Sequence, residues 1–230
     1  MAGRGRSNPL ALAVLTLLWE RPMHPYEMSM TLRERRKDET VRLNFGSLYS
    51  VVEGLEKRGL IEAASTEREG NRPTRTVYRI TDAGATEAVD WLSDLVRTPV
   101  KEFPQFEAAL SFLPLLAPDD VARLLRMRAA SVRTTLTSLE TTVDEARRQG
   151  LPRIFALEAE YEIGLLRAEL DFVVGLEASI SDGTLEHVDL WRSLHARTNA
   201  AGRIDHDELA EAVADALSPF LSGQEGVPDR

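Results

Sequence analysis

The apolar residues in the first hundred positions of this chain recur every three or four residues, which predicts a series of helices. A first helix is predicted over residues 9–20, with Asn8 as the capping residue before a proline at the first helical position. Two prolines bracket the next turn, and further helices are predicted over residues 26–36 and 44–58. The chain is therefore predicted to open with three helices.

The third helix has two distinct faces. Its apolar residues fall at helical spacing and predict one buried stripe: Leu48, Val51, Val52 and Leu55. Polar residues occupy the opposite face: Ser47, Tyr49, Ser50, Glu53 and Lys57. Gly59 stands where a helix commonly ends in a left-handed cap. The pattern indicates a helix that packs on a core and presents polar side chains to solvent.

Two strands are predicted directly after this helix, over residues 60–66 and 75–80. The second strand alternates in the period of a sheet with one covered face. The loop between the strands contains glycine, asparagine and proline as turn formers, and it carries Arg68 and Arg72. Three helices followed by two strands and such a loop form a winged helix, so the predicted fold class is mainly α with a small β-wing.

A fourth helix leads out of the wing. Thr81 is its predicted cap, and its apolar positions keep a helical stripe up to Pro99: Ala85, Ala88, Val89, Leu92, Leu95 and Val96. Pro99 and Pro104 then mark a hinge. We therefore expect a winged-helix domain over residues 1–98, which includes the fourth helix, and a second domain after it.

The second domain is predicted to be all-helical, with a short apolar helix over residues 106–116 and long helices over 119–149 and 154–182. The apolar positions of the first long helix keep mostly three-and-four spacing: Val121, Leu125, Val132, Leu136, Leu139, Val143 and Ala146. The second keeps similar spacing at Ile154, Tyr161, Leu165, Ala168, Phe172 and Leu176, and Tyr161 and Phe172 are expected in the core and not at a cofactor. Each long helix would extend about 40 to 45 Å, and paired helices of that length usually pack on a partner. The dimerisation domain is assigned to residues 99–184, and residues 185–230 to additional helices and a disordered tail.

The amino-acid composition excludes several kinds of functional site. The chain contains no cysteine, which excludes disulfides, thiol nucleophiles, thiolate metal sites and iron–sulfur clusters. With 43% apolar residues and no segment long enough to span a bilayer, a globular protein without a membrane partner is expected, with the cytoplasm as the default location.

The net charge of −9 argues against a nucleic-acid partner, but the distribution of charge changes that conclusion. Residues 1–84 contain 14 Lys and Arg against 11 Asp and Glu, whereas residues 85–230 contain 14 against 26. The winged-helix part is thus +3 and the remainder −12. A modest positive patch on an acidic protein suits phosphate contact at one surface and repulsion elsewhere.

Five short segments in this order and spacing resemble the PadR family of bacterial transcription regulators. They are Pro22-Met23-His24-Pro25-Tyr26-Glu27, Gly46-Ser47-Leu48-Tyr49, Leu55-Glu56-Lys57-Arg58-Gly59-Leu60-Ile61, Arg72-Pro73 with Thr76-Val77-Tyr78, and Ile80-Thr81-Asp82-Ala83-Gly84. The resemblance covers about residues 10–97, and the helical second half resembles the dimerisation domain of the longer members. It implies a dimeric, ligand-responsive repressor with the third helix in the major groove of double-stranded DNA and the wing along the minor groove.

The predicted DNA-binding residues follow from that arrangement. Hydroxyl groups on the outward face of the third helix suit phosphate or base edges, and arginines of the wing suit a narrow minor groove. The candidates are Ser47, Tyr49, Ser50, Arg72, Arg75, Tyr26, Lys57 and Arg68. Two alternatives stay open: Lys57 also suits the C-terminal end of a helix, and Tyr26 is weighed equally as a core residue.

The sequence gives weaker signals for ligand and metal sites than for DNA-binding residues. In some relatives an aromatic residue on the fourth helix stacks a flat hydrophobic ligand, which makes Trp91, Phe103 and Phe106 candidates for effector contact, with a dimer interface as the alternative for Trp91. His187 and His195 lie two turns apart, beyond chelating reach, so no metal or other cofactor is predicted. No catalytic constellation is found.

The sequence thus predicts a homodimeric DNA-binding regulator, a repressor of a pseudo-palindromic operator, released by a hydrophobic or aromatic small molecule. The alternative is a winged-helix dimer that serves as a protein–protein interaction module. No residue pattern in the sequence supports an enzymatic function.

Overall fold

The computed structural model describes residues 8–37, 41, 45–67, 75–201, 211 and 214. The chain divides into two compact units, with the boundary between Glu102 and Phe103. The predicted fold class, a winged helix followed by an all-helical part, is confirmed.

The first unit contains four helices and two strands among its described residues. They are α1 (Pro9–Glu20), α2 (Pro25–Glu34), α3 (Phe45–Lys57), β1 (Ile61–Glu67), β2 (Arg75–Ile80) and α4 (Asp82–Arg97). The predicted order is confirmed, and boundaries differ from the expected ones by one or two residues, as fraying ends usually do.

Side-chain caps fix where three of these helices begin. Asn8 Oδ1 accepts a hydrogen bond from the Leu10 amide at 3.0 Å, and Thr81 Oγ1 accepts one from the Gly84 amide at 3.1 Å. His24 caps α2 in the same way, since its Nδ1 accepts from the Glu27 amide at 3.1 Å. Each cap satisfies an amide that would otherwise lack a partner at a helix start.

The core of the first unit lies between α1, α3, α4 and the sheet. Helix α1 buries Leu10, Val14, Leu17 and Leu18 in this core. The apolar stripe predicted on α4 lies only partly in this core. This helix buries Gly84, Ala88 and Trp91, whereas Val89, Leu92 and Val96 are exposed. The helix carries two neighbouring apolar stripes, and the core takes the one that contains the bulky Trp91.

The two strands form an antiparallel hairpin, with Ile61 opposite Ile80 and Ala63 opposite Tyr78. The register shifts between Ala63 and Ser65, which is the sign of a bulge. Tyr78 also exchanges two backbone hydrogen bonds with Met23, at 2.9 and 3.1 Å, so the turn before α2 is fixed to the sheet. These bonds set the position of α2 relative to the wing.

Two glycines shape the connections around the sheet. Gly59 ends α3 with φ at +69°, a conformation that other residues rarely adopt, as its position in the sequence predicted. Gly84 lies directly against the backbone of Leu60, where an added Cβ would stand 1.9 Å from the carbonyl oxygen. The junction of β1, β2 and α4 is therefore packed backbone to backbone.

The second unit is helical throughout its described residues. It contains α5 (Gln105–Leu110), a 3-10 turn (Leu113–Leu115), α6 (Pro118–Arg148), another 3-10 turn (Arg153–Phe155), α7 (Leu157–Asp182) and α8 (Val188–Ala201). The single helix expected over residues 106–116 is wrong, because the segment breaks before Pro114, which cannot continue a helix. Of the additional helices predicted for residues 185–230, α8 is described, and beyond residue 201 only residues 211 and 214 are described. Over the part of the chain that the structure describes, every helix is too short or too polar to cross a bilayer.

Helices α6 and α7 form a long hairpin. The regularly spaced apolar residues of α6 face inward, with Val121, Leu125, Val132, Leu136 and Val143 buried and Leu139 and Ala146 half-buried. The prediction that Tyr161 and Phe172 of α7 are core residues is wrong. The buried residues of α7 are Ile163, Val173 and Ile180, whereas Tyr161 is 70% exposed and Phe172 51% exposed. Ile154 and Leu165 are exposed as well.

Candidate nucleic-acid interface

Helix α3 is anchored in the core by one face. Leu48, Val52 and Leu55 are buried, and Val51 is half-buried beside them. The helix therefore holds a fixed rotation about its axis, which determines which side chains point to solvent. The predicted division of α3 into a buried stripe and a polar face matches this packing.

The outward side chains begin one turn into α3. Ser50 is exposed, and its hydroxyl donates a hydrogen bond to the Gly46 carbonyl at 3.0 Å, so its lone pairs stay directed to solvent. Tyr49 is 50% exposed on one flank of this face, and Ser47 is half-buried on the other. Of the three predicted hydroxyl residues, Ser50 is thus placed centrally and the other two at the margins.

The cations at the end of α3 have acidic partners that the sequence analysis missed. Lys57 Nζ lies 3.7 Å from Glu53 Oε2, one turn earlier on the same exposed face. Arg58 Nη2 lies 3.1 Å from Glu87 Oε1 of α4. An exposed pair such as Lys57 and Glu53 contributes little energy, about 0.3–0.5 kcal/mol, so a phosphate can replace the carboxylate.

Tyr26 lies in the first turn of α2. It is 51% exposed and its ring stacks on His24, with centroids 6.1 Å apart and planes inclined by 29°. The equally weighted alternative of a core tyrosine does not fit this exposure. Because His24 also caps the helix, the stacking orients the phenol beside the helix N-terminus, which is a favourable position for contact with a phosphate.

The wing is described only at its strands. Arg75 begins β2 opposite Glu67, while Arg68 and Arg72 lie outside the described residues, so their predicted DNA contacts stay predictions. Within the sheet, Arg79 pairs with Glu62 at 2.7 Å. Burial, together with nearby Glu56 of α3, raises the pKa of Tyr78.

The three predicted effector residues are not one cluster. Trp91 is 2% exposed and belongs to the core of the first unit, so contact with a ligand would require that core to open. Phe103 is 85% exposed at the start of the second unit. Phe106 is half-buried there, with the Arg128 guanidinium 3.7 Å above its ring and Phe172 edge-on at 6.5 Å.

The histidines of the second unit have structural neighbours. His195 Nε2 lies 3.0 Å from the Pro114 carbonyl, and the Trp191 indole donates to the Leu116 carbonyl at 3.0 Å. Both contacts fasten α8 to the 3-10 turn after α5. Among the described residues, no group of three or more acidic or histidine side chains is arranged to hold a metal ion.

Residues 14–89 match the model of the transcriptional regulator PadR-like family. Over these residues the chain is similar to the PadR-like family. The matched residues extend from the middle of α1 to the middle of α4 and include the whole polar face of α3. A comparison with curated proteins gives no match for this chain.

Solved PadR structures share the fold of this chain. Bacillus subtilis PadR in complex with operator DNA is 19% identical with a TM-score of 0.61, over 75% of this chain and 99% of that chain. The same protein in complex with p-coumaric acid is 17% identical with a TM-score of 0.61, over 75% and 98%. The PadR-like regulator BC1756 from Bacillus cereus is 17% identical with a TM-score of 0.53, over 76% and 99%. The likeness extends beyond the winged helix into the helical second unit.

Proposed function

We propose that this PadR-like protein is a homodimeric repressor that binds a pseudo-palindromic operator and is released by an aromatic or otherwise hydrophobic small molecule. One observation carries the proposal: α3 is held by a buried apolar stripe and presents an uninterrupted polar face beside the wing. The complex of Bacillus subtilis PadR with operator DNA supports this use of the fold.

The contacts with DNA are assigned to that face and its surroundings. Ser50 and Tyr49 of α3 read or position the major groove, and Lys57 meets a phosphate at the end of the helix. Ser47 contributes at the margin of the same face and Tyr26 contacts the backbone of the duplex from α2. The wing arginines, which are Arg68, Arg72 and Arg75, extend along the minor groove.

The homodimer is supported by apolar side chains that the protomer leaves exposed. On α4 these are Val89, Leu92 and Val96, which share one stripe at helical spacing. On α7 they include Tyr161, Leu165 and Phe172. Large exposed apolar patches mark interaction sites. A two-fold dimer would place its two α3 helices about 34 Å apart, one turn of DNA.

The effector is proposed to be a flat aromatic molecule, by analogy with the p-coumaric acid complex of Bacillus subtilis PadR. Phe103 and Phe106 supply aromatic surface in the second unit, while Trp91 is closed off in its core. Such a molecule releases the operator only if it binds better to a dimer geometry in which the α3 spacing no longer fits DNA.

The test begins with selection of bound fragments from genomic DNA, followed by footprinting of the enriched site. We expect a protected, two-fold related sequence of about two turns. Tyr49→Ala should then weaken binding to that site by about ten- to hundredfold, measured by fluorescence anisotropy. Trp19→Ala is the matched control, because Trp19 is an equally exposed aromatic on α1 outside the proposed site.

The results separate this proposal from a protein-interaction module. A folded dimer that enriches no sequence and leaves every fragment unprotected would contradict a DNA-binding repressor and favour the module. Equal losses of affinity in both aromatic variants would remove Tyr49 from the interface.

A further inference from the structure

We propose that α7 packs against α7 of a second copy of this chain in an antiparallel register centred on Ala168. This inference rests on the homodimer of the proposed function and specifies which helix face forms it. The surface concerned, called the outer α7 face below, consists of Leu157, Tyr161, Gly164, Leu165, Ala168, Phe172 and Gly175. It is opposite to the buried residues that pack on α6.

The outer α7 face is apolar and exposed along about 27 Å of helix. Its large side chains, which are Leu157, Tyr161, Leu165 and Phe172, are all at least half exposed. Phe172 contacts Phe106 with one edge and leaves the remainder of its ring open. A face of this kind on a hairpin that already has its own core requires a partner.

Charged residues near the middle of α7 are directed away from this face. Arg167 pairs with Glu140 of α6 at 2.5 Å, and Glu169 pairs with Arg128 of α6 at 2.5 Å. Both pairs lie on the flanks where α7 meets α6. Asp171 lies at the edge of the outer face, where its carboxylate can reach solvent. The centre of the face is left uncharged.

Two glycines on the outer face have no explanation within one protomer. Gly164 and Gly175 lie in the interior of a 26-residue helix, where glycine is among the poorest helix formers. An added Cβ at either position would meet nothing within 4 Å, and neither residue has a positive φ. Glycine at these positions is therefore useful only if a group from outside the chain approaches the helix closely.

The spacing of residues along the outer α7 face identifies the group that approaches the two glycines. Tyr161 and Gly175 lie seven residues on either side of Ala168, and Gly164 and Phe172 lie four residues on either side. In an antiparallel pair related by a two-fold axis at Ala168, positions equally distant from it meet. Each aromatic ring would then lie over a glycine of the partner, and the two alanines would meet at the axis.

A parallel pair would not have this complementarity. Each residue would meet its own copy, so aromatic rings would compete for one space and glycines would face each other across a gap. Filling of small positions by large side chains is what close helix packing requires. The antiparallel register is therefore the one that the face fits, with the second copy as its occupant.

The absence of cysteine from the sequence allows a direct test by disulfide cross-linking of full-length single-cysteine variants. Ala168→Cys should cross-link upon mild oxidation, because two copies meet at the axis within disulfide reach. Gly175→Cys should not, because its two copies would be about 21 Å apart along the helices. The double variant Tyr161→Cys/Gly175→Cys should cross-link, and Thr134→Cys on the opposite side of the hairpin is the negative control.

A swap of side chains tests the same register without oxidation. Gly175→Leu should raise the Kd of the dimer by about a hundredfold, because each protomer would overfill one space. The double variant Tyr161→Gly/Gly175→Tyr exchanges ring and cavity and should restore dimerisation, as measured by sedimentation velocity. Circular dichroism of each variant shows whether the helices are retained.

The outcomes distinguish the register from the proposed function. A dimer that binds the operator but cross-links through Gly175→Cys alone, and not through Ala168→Cys, would overturn the antiparallel register and leave the repressor intact. A dimer in which Thr134→Cys cross-links instead would overturn the assignment to the outer α7 face. A monomer at all concentrations would overturn the homodimer itself.

Discussion

Substitution of Gly84 by alanine should destabilise the first unit by about 3 kcal/mol. The new Cβ would stand 1.9 Å from the Leu60 carbonyl oxygen and 2.9 Å from Ile80 Cγ1. Ordinary contact begins at 3.4 Å, so the backbone of β1 or α4 must move by about 1.5 Å. Overpacking of this kind typically costs 1–3 kcal/mol. The movement also disturbs the hydrogen bond from the Thr81 amide to the Leu60 carbonyl, worth about 1 kcal/mol.

The matched control is Gly54→Ala in α3 of the same unit. A Cβ at Gly54 would meet nothing within 4 Å, and alanine favours a helix interior by about 0.5–1 kcal/mol over glycine. The same chemical change is thus expected to stabilise at one position and destabilise at the other. The difference of about 4 kcal/mol arises entirely from what surrounds each glycine.

Urea unfolding followed by tryptophan fluorescence measures both variants. The chain has three tryptophans, so a Trp19→Phe/Trp191→Phe background leaves the buried Trp91 as a reporter of the first unit alone. This matters because two units need not unfold in a single transition. A Gly84→Ala protein within 0.5 kcal/mol of its parent would refute the close packing at the junction of wing and α4.

Three further predictions concern DNA binding and pH. Arg72→Ala should weaken binding at all sequences and make the salt slope of log Kd shallower by about one unit, whereas Arg97→Ala on α4 should change neither. Burial raises the pKa of Tyr78 above its ordinary value of 10.0. The stabilising contribution of the Tyr78 phenol should therefore be full below pH 10.0 and be lost as the pH rises through the pKa of the folded state. An absorbance titration that finds the ordinary pKa for Tyr78 would contradict this. A hydrogen bond from Arg35 lowers the pKa of Glu20 below its ordinary value of 4.5. The pair should therefore stabilise the folded protein above pH 4.5, and this stabilisation should be lost as the pH falls through the pKa of Glu20 in the folded state. Arg35→Met should remove that acid dependence, which an NMR titration of Glu20 can follow.

Much of the first unit was predictable because its signals are local. The cap at Asn8, the glycine that ends α3 and the strand alternation of β2 each act within a few residues. His24 was missed as a cap because histidine is not among the usual capping residues, and only the structure shows its ring nitrogen at the Glu27 amide.

The candidate interface was predictable only in part. The polar face of α3 follows from the buried stripe, since both are set by one helical period. The ion pair of Arg58 with Glu87 joins residues that are 29 positions apart, so no local pattern announces it. Likewise, the burial of Trp91 depends on which of two apolar stripes of α4 the core selects.

Helix α7 best separates what the sequence determined from what the tertiary structure decided. The sequence by itself determined that α7 is a long helix with apolar residues at helical spacing, because periodicity and helix propensity are properties of neighbours along the chain. It did not determine which apolar side faces α6. That choice depends on how Ile163, Val173 and Ile180 fit against the apolar side chains of α6, whereas Tyr161 and Phe172 are left outside. Only packing between distant segments decides this, because burial is set by the shape of the surface that each residue meets.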